Sequence, residues 1–218
     1  MCGQFALFSN IQAIIDYYNF LKQFEKEFNP EALHEFLKTK KDKTPYNQYD
    51  FPSHKITPGM YVPVCFKENN HYQIDWMRWG LVPSWSKDES FAMKLINARQ
   101  ETISEKPSFR NAWKSRRCLI PCNYFYEWNQ QKQKFEIRQK NHEIFSLAGI
   151  WESRKRDDFV LNTFSIITQE ANNEMKMIHD RMPVIIKESE FSNWLDCKIS
   201  DFYEINSISD QQLMIQAV

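Results

Sequence analysis

The stretch YVPVCFKENNHYQIDWMRWG, residues 61–80, decides how the chain folds. Two runs rich in β-branched and aromatic residues flank the polar cluster KENNH, which predicts two strands joined by a hairpin turn. Downstream the same texture recurs in RCLIP, YFYEW, KFEIRQ, IFSLAGIWES, FSIITQ and PVIIK, and QKNHE supplies a second hairpin-like break. Short helices are expected around FAMKLINARQET, EANNEMKM and ESEFSNWL. Upstream, Ile11, Ile14, Ile15, Tyr18, Leu21, Phe24 and Phe28 recur at three- and four-residue steps behind Ser9 or Asn10, predicting an amphipathic helix over 10–28. NPEALHEFLK, with Asn29 as cap and Pro30 at the first helical position, predicts a second. Residues 40–59 are polar and proline-punctuated, as a long loop would be. The expectation is an α+β fold, one domain over 1–218, with a mostly antiparallel β-rich core and helices packed outside.

Composition bounds the function. With 218 residues, 42% of them hydrophobic, the chain can bury one sizeable core. Lysine plus arginine and aspartate plus glutamate both number 28, so the net charge is zero and any polyanion site must come from local segregation of charge. The basic run LKTKKDK reads as a helix end meeting solvent. No apolar run approaches the roughly 20 residues that span a bilayer, which predicts a soluble, cytoplasmic protein, nucleoid-associated if bacterial. Five irregularly spaced cysteines argue against a disulfide framework and for a reducing compartment. Cys118 and Cys122 lack two further ligands at metal spacing and read as core thiols; no metal or cofactor is expected. Phosphate-loop, dinucleotide and G-x-S-x-G signatures are absent.

Five segments carry chemistry. In MCGQF, loss of the initiator methionine would leave Cys2 with both an α-amine and a thiol. In NYFYEWN, period-2 alternation sends Tyr124, Tyr126 and Trp128 to one face and Phe125 and Glu127 to the other. That places a carboxylate among apolar neighbours, where burial favours its protonated form; an exposed face or a structural ion pair is the commoner role for such a glutamate. MIHDRMPVII sets His179, Asp180 and Arg181 at a strand entrance, either as functional groups or as caps for backbone carbonyls. INARQET brings Asn97 and Arg99 together, a pair able to orient a carbonyl or hold a phosphate, or to cap a turn. RWGLVPSW adds Trp79 and Trp85, as core or as a stacking platform for bases.

In order along the chain, M-C-G at 1–3, W-G-L-V-P-S-W at 79–85, I-N-A-R-Q-E-T at 96–102, R-C-L-I-P and F-Y-E-W within 117–128, A-G-I-W at 148–151, F-S-I-I-T at 164–168 and I-H-D-R-M-P at 178–183 resemble the SRAP (SOS response-associated peptidase) domain family. The resemblance implies a compact α+β domain that detects abasic sites in single-stranded DNA and bonds to them through the N-terminal cysteine; a monomer is expected. It implies Cys2 as nucleophile, Asn97 positioning the reacting end, Glu127 shuttling protons and His179 assisting opening of the sugar ring. Arg99 and Arg181 correspond to phosphate contacts and Trp85 to a residue lining the DNA path. Lyase or peptidase-like activity is also implied. Gln4 stands where the family usually has arginine, and Tyr124 where it commonly has glycine.

The chemistry suits the residue. A free α-amine, with a pKa near about 7.7–8.0, has a neutral fraction able to attack the open-chain aldehyde of an abasic sugar. The adjacent thiol can then close a five-membered thiazolidine, an intramolecular step with an effective molarity of about 10⁵ M or more. Two rival readings use the same Cys2: an N-terminal-nucleophile amidohydrolase and a cysteine peptidase paired with His179.

Overall fold

The computed structural model describes residues 2–19, 52–86, 89–155, 160–197 and 212–218. Gln4–Leu7 forms β1. Ile11–Tyr17 forms α1, started by Asn10, whose side chain accepts a hydrogen bond from the Ala13 amide at 2.9 Å. The rest of the helix expected over 10–28, together with NPEALHEFLK and LKTKKDK, lies outside the described residues. Within the expected loop, Ser53–Ile56 is a strand, β2, because it pairs with β1 along a sheet edge.

Tyr61–Glu68 (β3) and His71–Trp79 (β4) form the expected hairpin. Asn69 and Asn70 take φ of 50° and 65°, the left-handed pair that a two-residue turn with the twist of its strands requires. INARQET departs from the expected helix. A 3₁₀ turn at Ala92–Lys94 leads into Asn97–Arg99 (β5), and a second follows at Gln100–Thr102. Pairing with a distant strand overrides the local helical preference there.

Arg110–Ser115 is α2, Arg117–Cys122 β6 and Tyr124–Trp128 β7. Lys134–Gln139 (β8) and Phe145–Lys155 (β9) belong to different sheets, so QKNHE is a crossing between sheets and not a hairpin. Val160–Glu170 is β10, Arg181–Pro183 β11 and Ile185–Ile186 β12. EANNEMKM holds only a 3₁₀ turn at Met175–Met177, and Phe191–Leu195 is α3. The tail supplies Leu213–Ala217 (β13), paired with β8.

Among the described residues there are two sheets, mostly antiparallel as expected, with few and short helices. One has the order β13-β8-β7-β1-β2. The other runs β11-β10-β4-β3-β6-β9-β12, and an added β9–β10 pairing closes β10-β4-β3-β6-β9 into a ring. Among the described residues, only the contacts of β10 with β4 and β5 are parallel. Gly149 on β9 is closely packed by the ring's interior: a Cβ there would come within 2.4 Å of Ile120 Cδ1 and 2.9 Å of Cys118 Sγ. One core joins both sheets, with Phe5 of β1 against Trp79 of β4 at 5.2 Å between ring centroids. Cys118 and Cys122 are fully buried free thiols within that core. No helix among the described residues is long and apolar enough to cross a membrane.

Candidate active site

The β1–β7 ladder sets the site. Gln4 pairs with Tyr126 and Phe5 with Phe125, and one further step of that register brings Gly3 across from Glu127. The alternation read from the sequence holds: Phe125 and Glu127 are buried toward the main core, while Tyr124 and Tyr126 pack with Ala6 on the other face. On that outer face the Lys134 ammonium lies 3.5 Å from the centre of the Tyr126 ring, covering it with a cation. Trp128, at the strand end, is partly exposed.

Glu127 is 2% exposed. Burial raises its carboxyl from the ordinary 4.5 to about 7, against the opposing pull of the positive charge at the chain's amino end. Cys2 is fully buried, with its Sγ 3.9 Å from the Gln4 carbonyl. Burial first, and the nearby Glu127 charge second, push its thiol well above the usual range. The thiol is therefore held protonated.

Asn97 reaches the same place from β5, its Nδ2 donating to the Cys2 carbonyl at 2.8 Å. Its Oδ1 is buried and makes no hydrogen bond among the described residues. That leaves an acceptor beside the nucleophile candidate. His179 follows the 3₁₀ turn at Met175–Met177, half-buried, and its Nδ1 accepts the Arg181 amide at 2.9 Å. That bond fixes the neutral tautomer with its proton on Nε2. Burial, then the amino-terminal charge, lowers the pKa of the ring. Glu127 and His179 thus both sense the amino end of the chain.

The two arginines differ. Arg99 is exposed and, two residues from Asn97 on one strand, projects from the same face. Arg181 is engaged: Nη1 donates to Glu101 Oε1 at 2.6 Å, and Nη2 donates to Glu101 Oε2 at 3.0 Å and to the Thr168 carbonyl at 2.7 Å. Burial alone would raise the Glu101 carboxyl, but the bond and charge of Arg181, with Arg99 behind them, hold it below its ordinary value. Glu101 went unnoticed in the sequence because its partner lies 80 positions away.

Trp85 stands apart from the Cys2 cluster, 55% exposed, edge-to-face with Phe91 at 6.3 Å. Its loop is tied to β10 through Gly80 N to Phe164 O at 2.9 Å and Val82 N to Thr163 Oγ1 at 3.0 Å. Phe91, Met93 and Met177 are further exposed apolar side chains that the sequence did not single out. The signal available for them was a large apolar residue in an otherwise polar segment. A cleft of about 500 Å³ opens between Trp128–Gln131 and Lys176–Asp180, with His179 in its wall; Cys2 and Glu127 do not line it.

Comparison with known proteins shows the family to which the chain is similar. The profile of the SOS response associated peptidase (SRAP) family matches residues 1–218. The abasic site processing protein YoqW of Bacillus subtilis is 36% identical over 206 residues, covering 92% of this chain and 83% of that protein. YoaM of the same organism, also named an abasic site processing protein, is 36% identical over 203 residues, covering 91% and 80%. A crystal structure of a protein from Bacteroides thetaiotaomicron superposes with a TM-score of 0.75 at 23% identity, covering all of this chain and 92% of that one, which is a likeness of fold.

Proposed function

The chain belongs to the SOS response associated peptidase family, and on that premise we propose that it captures abasic sites in single-stranded DNA as a covalent thiazolidine on Cys2. The observation that carries the reading is the convergence at the amino end of the chain: Asn97 holds the Cys2 carbonyl, while Glu127 and His179 both respond to the amino-terminal charge. Removal of Met1 is part of the proposal, since only then does Cys2 own the amine.

His179 Nε2–H hydrogen-bonds the sugar O4′ as the C1′–O4′ bond breaks, and the C1′ hydroxyl proton passes through solvent water to O4′, exposing the aldehyde and leaving the ring neutral. The Cys2 amine adds to C1′, giving a carbinolamine. Glu127, near half-protonated at neutral pH, donates to the departing hydroxyl, and water leaves. The Cys2 S–H then adds across the imine, sulfur to carbon and proton to nitrogen, closing the ring. A thiol held protonated suits that last step. It runs against a cysteine peptidase, which needs a thiolate with a depressed pKa. Asn97 steadies the reacting residue, and its open Oδ1 is the proposed acceptor for the amine. Arg99 and Arg181 are the proposed phosphate contacts, with Trp85 a stacking surface for flanking bases. The proposed working form is a monomer in the cytoplasm that uses no metal or cofactor, and any strand cleavage is secondary to capture.

Incubation with a single-stranded oligonucleotide containing one abasic site should give a denaturation-resistant protein–DNA band. It should vanish in Cys2→Ala and with intact DNA. No band from protein whose N-terminal mass confirms Met1 removal, on DNA that retains its aldehyde, would overturn the proposal.

A further inference from the structure

We infer that Glu101 is a specificity residue of this site: its carboxylate occupies the Arg181 fork where a strand phosphate would otherwise sit, so a phosphate must displace it. The inference rests on the reading that the site takes an abasic strand. Arg181 spends both terminal nitrogens, on the two Glu101 oxygens at 2.6 and 3.0 Å and on the Thr168 carbonyl at 2.7 Å. Two parallel N–H···O bonds are how a guanidinium grips a carboxylate or a phosphate, so the two anions compete for one fork.

The partners differ in anchorage. The Arg181 side chain is 14% exposed and keeps its Thr168 bond if the carboxylate leaves, whereas that of Glu101 is 42% exposed on a one-turn 3₁₀ segment. A pair open to solvent on one side is weak enough to be exchanged. Its location puts it in the strand's way: Arg181 donates its amide to His179, and Glu101 follows Asn97 and Arg99 by four and two residues. Glu101 cancels one of the two arginine charges beside the reacting sugar. Any strand is then held loosely until its aldehyde reacts, so retention depends on the lesion and not on the backbone.

Binding of an intact single-stranded oligonucleotide, which has no aldehyde, measured across a salt series tests this. Glu101→Gln and Glu101→Ala should each bind about fivefold tighter, with the log–log salt slope steeper by about 0.7. In an Arg181→Gln background the same changes should add nothing, because the gain runs through that fork. Equal or weaker binding by both Glu101 variants, or a gain that survives in the Arg181→Gln background, would overturn the inference. The wild-type adduct assay on abasic DNA judges the underlying reading separately, since the intact-strand series does not involve Cys2.

Discussion

Two buried glutamates put the same side chain to different uses. Glu152, 4% exposed on β9, has its carboxyl raised by burial and offset by Arg116, whose Nη2 lies 2.7 Å away. Arginine keeps its charge at any pH the fold survives, so that pair is permanent. Glu127, 2% exposed on β7, is raised by burial too, but the charge that opposes the rise belongs to the amino end of the chain. In the proposed reaction Met1 has been removed, and the Cys2 amine that then ends the chain becomes part of a ring and loses most of its charge. The carboxyl it faces should then take up a proton, which makes Glu127 a relay and Glu152 a fastening. Burial sets up both; whether the compensating charge can be spent decides which becomes chemistry.

The comparison breaks first if Glu127→Gln reacts normally. Adduct formation in single-turnover assays should fall about 10²-fold or more, with affinity for the intact strand nearly unchanged; a loss within threefold would make Glu127 another fastening. Next comes the pH dependence of stability. A folded carboxyl at about 7 against an unfolded 4.5 contributes stability that is full below 4.5 and is lost as pH rises through 7. Glu127→Gln should therefore be more stable than wild type at pH 8, by on the order of 2 kcal/mol, and show no such gain at pH 4 in urea titrations. Smallest is Glu152→Gln, which leaves Arg116 short of its partner. With the Arg116 side chain 30% exposed to water, the cost should be about 1 kcal/mol, and the adduct rate of the folded protein should stay within about threefold.

Much of the β framework was legible because it is written locally. The Asn69–Asn70 turn, the strands either side of it and the inward aim of Glu127 follow from period and turn chemistry in adjacent residues. Where the reading went astray, the deciding partner was remote. INARQET pairs with β10 some 70 residues on, and β2 exists because β1 offers it an edge. QKNHE looks like a hairpin turn, but Leu213–Ala217 takes the place beside β8 that β9 would have filled. For the candidate site, the sequence offered Cys2, Asn97, Glu127 and His179 as separate hints, and the contacts that relate them span the sheets. The Glu101–Arg181 fork was invisible for the same reason.

β10 hydrogen-bonds to β4, β5, β9 and β11, so a single eleven-residue segment is the trunk from which the rest branches. Asn97 and Arg181 hang from it on opposite sides, through Ile166 and Glu170. Thermal breathing that loosens this trunk would part Asn97 and Arg181 at once, whereas fraying of β2 or β13 would leave them in place. Slow deuterium uptake at Ile166 and Ile167, outlasting that of β2 and β13, would be the signature of such a shared spine.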